Sequence, residues 1–361
     1  MFKKHIVSLK RYQTSENRDV LNGIILDRNE RADHYSQKQF NEILKEIPKY
    51  AINATPDITP LYEKLASFHK LKKKNIYITQ GITECMSQII YAFMKKNDEA
   101  IIMKPTYPMY EVLCKLHNVK FKEWKFKKDL SLEIDDLKKL INKKTKVIFI
   151  VNPNLPIEYE FSKQYKKKIL DLCKKKKIIL VYDEAYYHFG AASEIKNIKK
   201  YQNLIIMRTF SKAWGMSGVR LGYMISSSKI CDYVSKCRTL VETNSLTYQL
   251  AMWALKKKIY KDHVKSVKKG AKYLIEKLTK AKEIFHGGVC TNALLIKLPN
   301  IKATTELKEK LSKKKIYIRS NFPEPISDYV RVSLASVNKI SIFFKEYSKW
   351  KKNYTKIKSQ H

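Results

Sequence analysis

The stretch Arg208-Thr209-Phe210-Ser211-Lys212-Ala213-Trp214-Gly215-Met216-Ser217-Gly218-Val219-Arg220 follows an apolar run at 204–207. It sets one lysine, Lys212, just after the hydroxyls Thr209 and Ser211 and eight residues before an arginine. A lysine amine is a nucleophile only when part of it is neutral. Burial and nearby positive charge lower its pKa toward working pH. Arg220 can supply that charge and clamp a phosphate with its planar fork, and Thr209 and Ser211 can donate hydroxyl bonds to the same phosphate. Most other lysines lie in solvated runs such as 174–177, whereas Trp, Phe, Met and small residues crowd this one. The arrangement suits an amine that attacks a carbonyl beside a bound phosphate.

At 361 residues the chain can bury a large core, and one to three domains are expected. Hydrophobic content of 44% is that of an ordinary soluble protein. No apolar run is long enough for a membrane span, and the first residues, Met1-Phe2-Lys3-Lys4-His5, lack an apolar signal core. The six cysteines are scattered without C-x-x-C spacing. That pattern argues against a zinc site or disulfide framework and predicts a cytoplasmic location, with no metal. A formal charge of +39 raises the question of nucleic acid or anionic membrane. Only nine of the 73 basic residues are arginine, however, and the lysines spread along the whole chain. No element concentrates arginine and aromatics, so neither nucleic acid nor membrane is an expected partner. A general attraction for anionic substrates remains.

Short β-branched runs alternate with lysine-rich helical patterns. Residues 75–79, 100–103, 147–151, 178–183, 204–207 and 221–225 read as buried strands. Strands alternating with helices predict an α/β fold, a mostly parallel sheet covered on both faces, with ligands at the carboxyl ends of the strands. After about 244 the pattern changes. A long helical region at 246–284 precedes strand-like segments at 292–298, 316–319 and 329–334, read as a smaller α+β domain. The predicted division is an N-terminal segment 1–45, a large domain 46–245 and a small domain 246–361. The charged tail 348–361 is expected to fray.

Other candidate residues follow strands. Gly81, in Thr79-Gln80-Gly81-Ile82-Thr83-Glu84, permits a tight turn that aims the N–H groups of Ile82 and Thr83 at an anion, although an ordinary strand–helix turn reads the same way. Tyr107, in Pro105-Thr106-Tyr107, is either a stacking aromatic or one more core tyrosine. Asp183, in Tyr182-Asp183-Glu184-Ala185-Tyr186, ends a buried strand, where a carboxylate is costly unless paired; a helix N-cap is the alternative reading. Arg331 lies on one face of the alternating Tyr329-Val330-Arg331-Val332-Ser333, with apolar residues on the other.

Taken together, Ser211-Lys212, Gly218-Val219-Arg220, Asp183-Glu184-Ala185-Tyr186 and Pro105-Thr106-Tyr107 resemble the fold-type I pyridoxal phosphate (PLP) enzymes. Among these the class I/II aminotransferases close to histidinol-phosphate aminotransferase are most similar, over residues 22–345. The resemblance implies a PLP-dependent aminotransferase that moves an amino group between an amino acid or amino phosphate and a keto acceptor. Lys212 would carry a Schiff base and move the proton. Asp183 would face the pyridine nitrogen, Tyr186 the ring oxygen and Tyr107 the ring face. Gly81, Ile82, Thr83, Thr209, Ser211 and Arg220 would hold the phosphate. Arg331 would bind the substrate carboxylate and Arg319 a substrate phosphate. A homodimer is implied as well.

The chain also departs from that pattern. The family's Asn-Pro-Asn-Asn-Pro-Thr-Gly reads Asn152-Pro153-Asn154-Leu155-Pro156-Ile157-Glu158. Leu155 cannot donate the ring-oxygen bond expected of an asparagine, which leaves Tyr186 alone or Asn154 reaching in. The tyrosine that crosses to a partner subunit is replaced in Ala54-Thr55-Pro56-Asp57, with Tyr50 and Tyr62 nearby, and the early Asn-Glu-Asn-Pro becomes Asn29-Glu30-Arg31-Ala32. These changes predict an unusual substrate. They leave open a PLP-dependent decarboxylase of a phosphorylated amino acid, and, from another class, a non-catalytic basic nucleic-acid-binding protein.

Overall fold

The computed structural model describes residues 2–10, 19–238 and 240–358. In chain order the strands are β1 (Ile24–Leu26), β2 (Ile76–Thr79), β3 (Glu99–Lys104), β4 (Lys120–Lys125), β5 (Thr145–Val151), β6 (Ile179–Asp183), β7 (Leu204–Thr209), β8 (Gly222–Ile225), β9 (Phe285–Gly287), β10 (Ala293–Lys297), β11 (Ile316–Ile318) and β12 (Tyr329–Ser333). A seven-stranded sheet has the order β2-β8-β7-β6-β5-β3-β4, and only β8 runs against its neighbours. The fold is α/β, as the alternation of strands and helices predicts. All residues of β2, β7 and β8 are buried, because helices cover both faces.

The helices follow from their apolar spacing. Ile82–Phe93 buries Cys85, Met86, Ile89 and Ile90 against the sheet. Lys163–Lys176 starts where the Ser162 hydroxyl caps Tyr165 N–H, turns Ile169, Leu170 and Cys173 inward, and stops at left-handed Lys177. Lys166 is also buried, donating from Nζ to Ala192 O at 3.0 Å, whereas lysines such as Lys174, Lys175 and Lys176 face water.

A second hydrophobic cluster joins β1, β10, β11 and β12 to the helices Tyr260–Lys280, Ile301–Ser312 and Val337–Lys358. Here β9, β10 and β12 form an antiparallel sheet, and β1 pairs in parallel with β11. Leu155, Ala185, Tyr186 and Ala213, from the carboxyl edge of the large sheet, belong to this second cluster. That edge is therefore roofed by the C-terminal half and by the segment after β1.

Three expectations need correction. Strand β4, Lys-Phe-Lys-Glu-Trp-Lys, is absent from the sequence reading because at a sheet edge its lysines face solvent and dilute the apolar signal. The helical region 246–284 is two helices, Ser245–Lys257 and Tyr260–Lys280, parted at left-handed Lys258. The first of these sends Ala251, Trp253 and Ala254 into the large-sheet core, although the sequence reading assigns it to the C-terminal unit. The tail does not fray at 348. The last helix runs to Lys358, held by Trp350 Nε1 donating to Glu306 (2.9 Å) and by the Lys351–Glu283 pair (2.8 Å). Residues 359–361 lie outside the described residues.

Among the described residues, no helix is long and apolar enough to cross a membrane, and no cluster of three His, Cys, Asp or Glu side chains could hold a metal ion.

Candidate active site

The motifs converge on one edge of the large sheet. Gly81 follows β2, Tyr107 follows β3, Asn154 follows β5, Asp183 ends β6 and Lys212 follows β7. Because β8 is antiparallel, Arg220 arrives at the same edge just before its strand begins.

Gly81 has φ +80°, a left-handed conformation that favours glycine, and it opens the helix Ile82–Phe93. The N–H groups of Ile82 and Thr83 sit in the first turn, where a helix has no carbonyl to offer them. A Cβ built on Gly81 would lie 3.0 Å from Arg220 Nη2. The turn and the arginine, far apart in the sequence, thus close on one spot. Gly222 makes this possible, since a Cβ there would strike Gly81 C at 2.7 Å. Arg220 is itself left-handed (φ +56°), exposed, and donates from Nη1 to Ser217 O at 2.9 Å. Helix N–H groups, a positive helix end and a guanidinium around one glycine could hold a phosphate.

Lys212 donates from Nζ to the Arg28 carbonyl at 3.2 Å and lies 5.8 Å from the centre of the Tyr186 ring. On either side of it in the chain, Phe210 and Trp214 are buried and stacked on each other. Burial lowers its pKa to about 8. Glu30 opposes the shift, Arg331 and Arg220 add to it, and Asp183 opposes it. Part of the amine is therefore neutral near neutral pH, as a nucleophile requires.

Asp183 is buried and accepts from Tyr110 Oη at 2.7 Å and from Ala185 N–H at 3.0 Å. Burial raises its pKa to about 6, while those two donors and Lys212 pull it down and Glu184 pushes it up. Among the described residues no guanidinium or ammonium forms an ion pair with it. Its neighbour Glu184 differs: Arg208 grips it from Nε (3.2 Å) and Nη2 (2.8 Å), and Ser193 adds a third bond (2.8 Å). Both adjacent carboxyls are buried, but among the described residues only Glu184 has a guanidinium partner.

The other sequence candidates divide. Tyr186 is buried, its phenol oxygen accepts from Asn29 Nδ2 at 3.1 Å, and burial raises its pKa to about 12. Tyr107 is 42% exposed at the mouth of the site, edge-on to Tyr110. Ser211 is buried beside Lys212. Arg331 donates to Asp27 O at 2.6 Å and its backbone bridges Arg319, which brings both arginines to the same rim. Two phosphate- and ring-side assignments fail. The Thr209 hydroxyl is turned inward, accepting from Ser211 N–H (3.0 Å) and reaching Leu221 O (3.3 Å), so it does not face an anion. The Asn154 amide is spent on its own loop and on the loop after β3: Nδ2 donates to Ile157 O (3.0 Å) and Pro105 O (3.2 Å), and Oδ1 accepts from Thr106 (2.7 Å). It has nothing left for a ring oxygen. Tyr62 is likewise committed, donating to Glu242 at 2.9 Å.

Sequence reasoning missed Tyr110, Arg28 and Asn29 as site residues. Tyr110 lies three residues beyond Tyr107, one helical turn, which was the available signal. Arg28 acts through its carbonyl, which carries no sequence signal. Asn29 sits within a noted motif, but only the fold brings it to Tyr186.

The donor set fits PLP. It offers a phosphate cradle at Gly81 and Arg220, a partly neutral lysine amine, a buried carboxyl short of partners for a ring nitrogen, and a phenol for a ring oxygen. The family model for class I and II aminotransferases matches residues 22–342. A histidinol-phosphate aminotransferase of Pyrococcus furiosus is 32% identical over 264 residues, covering 73% of this chain and 74% of the relative. Two solved structures share the fold. The histidinol-phosphate aminotransferase of Clostridium acetobutylicum has a TM-score of 0.81 at 24% identity, covering 91% of this chain and 99% of that one. That of Sinorhizobium meliloti, in complex with pyridoxal-5'-phosphate, has a TM-score of 0.81 at 19% identity, covering 94% of each chain. The chain belongs to the class I and II aminotransferases and is a PLP-dependent enzyme of fold-type I.

Proposed function

We propose that this aminotransferase works through Lys212, which would make the covalent linkage to the cofactor aldehyde and afterwards hold and return the substrate Cα proton. When bound, the cofactor supplies the electron-withdrawing ring that makes that proton removable. Asp183 would keep the ring nitrogen protonated, a role that suits a buried carboxyl with two donors and no cationic partner. Gly81, Ile82, Thr83, Ser211 and Arg220 would anchor the phosphate. Tyr107 would cover the ring, and Arg331 would orient a substrate carboxylate with a fork that a lysine cannot imitate. Arg319, on the same rim, would meet a second anionic group, so the amino substrates are amino acids or amino phosphates.

The observation that carries this reading is the closure of Arg220 on left-handed Gly81 beside an amine whose charge is suppressed. Borohydride reduction of cofactor-loaded protein followed by peptide mapping tests it. The label is expected on residue 212; an unlabelled Lys212 defeats the assignment. Exchange spectra against a panel of amino acids and amino phosphates, with and without a keto acceptor, then identify the donor.

The protein works as a homodimer in this reading. Tyr50, Ile52, Leu240 and Leu246 are exposed. Ser245 Oγ bonds Ala54 O at 2.6 Å, which holds the 50–54 and 240–246 segments together as one apolar patch of the kind that marks an interface. Replacing Ile52 and Leu240 with aspartate is expected to give a monomer by light scattering. A reducing, cytoplasmic setting suits the six unpaired thiols.

A further inference from the structure

Leu155 stands where the family carries the amide that bonds the cofactor ring oxygen, and it is buried in apolar surroundings. The Asn154 amide is committed elsewhere. Only Tyr186 is left on that side, so which way its proton points decides whether the ring oxygen receives a hydrogen bond at all.

A buried chain of bonds fixes that direction. Asn29 N–H donates to Ser333 Oγ (2.8 Å), so the serine proton is free to donate to Asn29 Oδ1 (3.0 Å). The oxygen of the amide is thereby identified, and its NH₂ must face Tyr186 (3.1 Å). The phenol oxygen accepts that N–H, which leaves its own O–H to point away from Asn29, toward the pocket. Asn292 Nδ2 bonding Asn29 O (3.0 Å) and the left-handed backbone of Asn29 (φ +56°) hold the residue in place. Asn29 and Ser333 are buried and Asn29 comes from the segment after β1, so the relay reaches the site from the roof.

We propose that Asn29 is a positioning residue that locks Tyr186 as a hydrogen-bond donor to the cofactor ring oxygen, taking over the task of the amide lost at Leu155. The proposal rests on the reading of Lys212 and Tyr186 given above. A donor on that oxygen stabilises its ionised form and so eases loss of the proton from the Lys212 linkage. The pH midpoint of the visible band of the holoenzyme reports this directly. The charged groups facing Lys212 are Glu30, Asp183, Arg331 and Arg220, and Tyr186 faces Arg331 and Asp183. All of them stay in every variant below.

The test is a titration of the band at about 420 nm in holoenzyme. Asn29→Asp keeps the size and tolerates the left-handed backbone, but its carboxylate can only accept, so it draws the phenol proton away from the pocket. Asn29→Asp and Tyr186→Phe are each expected to raise the midpoint by about one pH unit, the weight of one hydrogen bond to a charged group. The double variant should shift no further than either single one. An added charge acting alone would shift the Tyr186→Phe background as well, so additive shifts overturn the proposal, as does an unchanged midpoint in Asn29→Asp. Leu155→Asn restores a donor and is expected to lower the midpoint; a rise there counts against the proposal. Should Asn29→Asp fail to fold, Ser333→Ala frees the amide and is expected to raise the midpoint by a smaller step, and no change overturns the proposal. A wild-type protein that binds cofactor without any visible band overturns the Lys212 reading and this inference together. A normal band that Asn29→Asp leaves untouched overturns this inference alone.

Discussion

The turn after β2 and the loop after β5 leave the same edge of the large sheet, yet they spend their polar groups differently. The first keeps the N–H groups of Ile82 and Thr83 in an uncapped helix turn and draws Arg220 over Gly81. The second turns everything inward. The Asn154 amide binds its own loop and the neighbouring loop after β3, and Glu158 accepts from the N–H groups of Gly288 (3.2 Å), Val289 (3.0 Å) and Thr291 (2.8 Å) and from the Thr291 hydroxyl (2.6 Å). Those partners lie between β9 and β10, so Glu158 ties the large sheet to the C-terminal half. In the proposed reading one loop would hold donors for a ligand, whereas the other holds the protein together. Matching a motif by position does not separate the two; following each donor to its acceptor does.

The largest effect tests the ligand side. Lys212→Ala is expected to cut turnover about 10⁴-fold, since the proposed nucleophile and proton carrier would vanish together, and to abolish the visible band; near-normal transamination would break the comparison at its centre. Glu158→Ala tests the structural side. It leaves the buried N–H groups of Gly288 and Thr291 without their acceptor, and denaturant unfolding should show a loss of about 3 kcal/mol, with cofactor affinity nearly unchanged. A large fall in affinity with little loss of stability would mean the loop serves the ligand after all. Arg220→Gln should do the reverse, weakening cofactor retention roughly 30-fold, about 2 kcal/mol, at little cost in stability. Arg220→Lys restores the charge without the fork and should recover only part.

How far this contrast is legible in sequence depends on distance along the chain. The β-strands around Lys212, Asp183 and Gly81 are buried on both faces and read as continuous apolar runs, so the sheet and its ligand edge follow from pattern alone. Strand β4 does not, because an edge strand wears lysines. The committed hydroxyl of Thr209 and the committed amide of Asn154 look in sequence like available donors; only their three-dimensional neighbours show that they are spent. Asn29 reaches Tyr186 across 157 positions, and β1 reaches β11 across nearly the whole chain. Such pairings carry no local periodicity.

The smallest effect concerns pH and belongs to the ligand side alone. In the cofactor-free protein Asp183 is raised from 3.8 to about 6. Between those values the folded state binds more protons than the unfolded one, so stability falls as pH rises through that window. Lys212 is lowered from 10.5 to about 8. There the unfolded state binds more protons, so stability rises as pH climbs from about 8 to 10.5. Between these windows, at neutral pH, both groups are charged against their surroundings, and the empty site destabilises the protein by about 1 to 2 kcal/mol per group once water and relaxation are allowed for. Thermal unfolding of apoprotein should therefore show a trough between about pH 6 and pH 8. Asp183→Asn is expected to flatten its acid limb and Lys212→Leu its alkaline limb. In the proposed reading the bound cofactor would pair the carboxylate and take up the amine, so holoenzyme should lack the trough. A trough that survives both substitutions would move its origin to the other side of the comparison, among the polar groups that hold the two halves together.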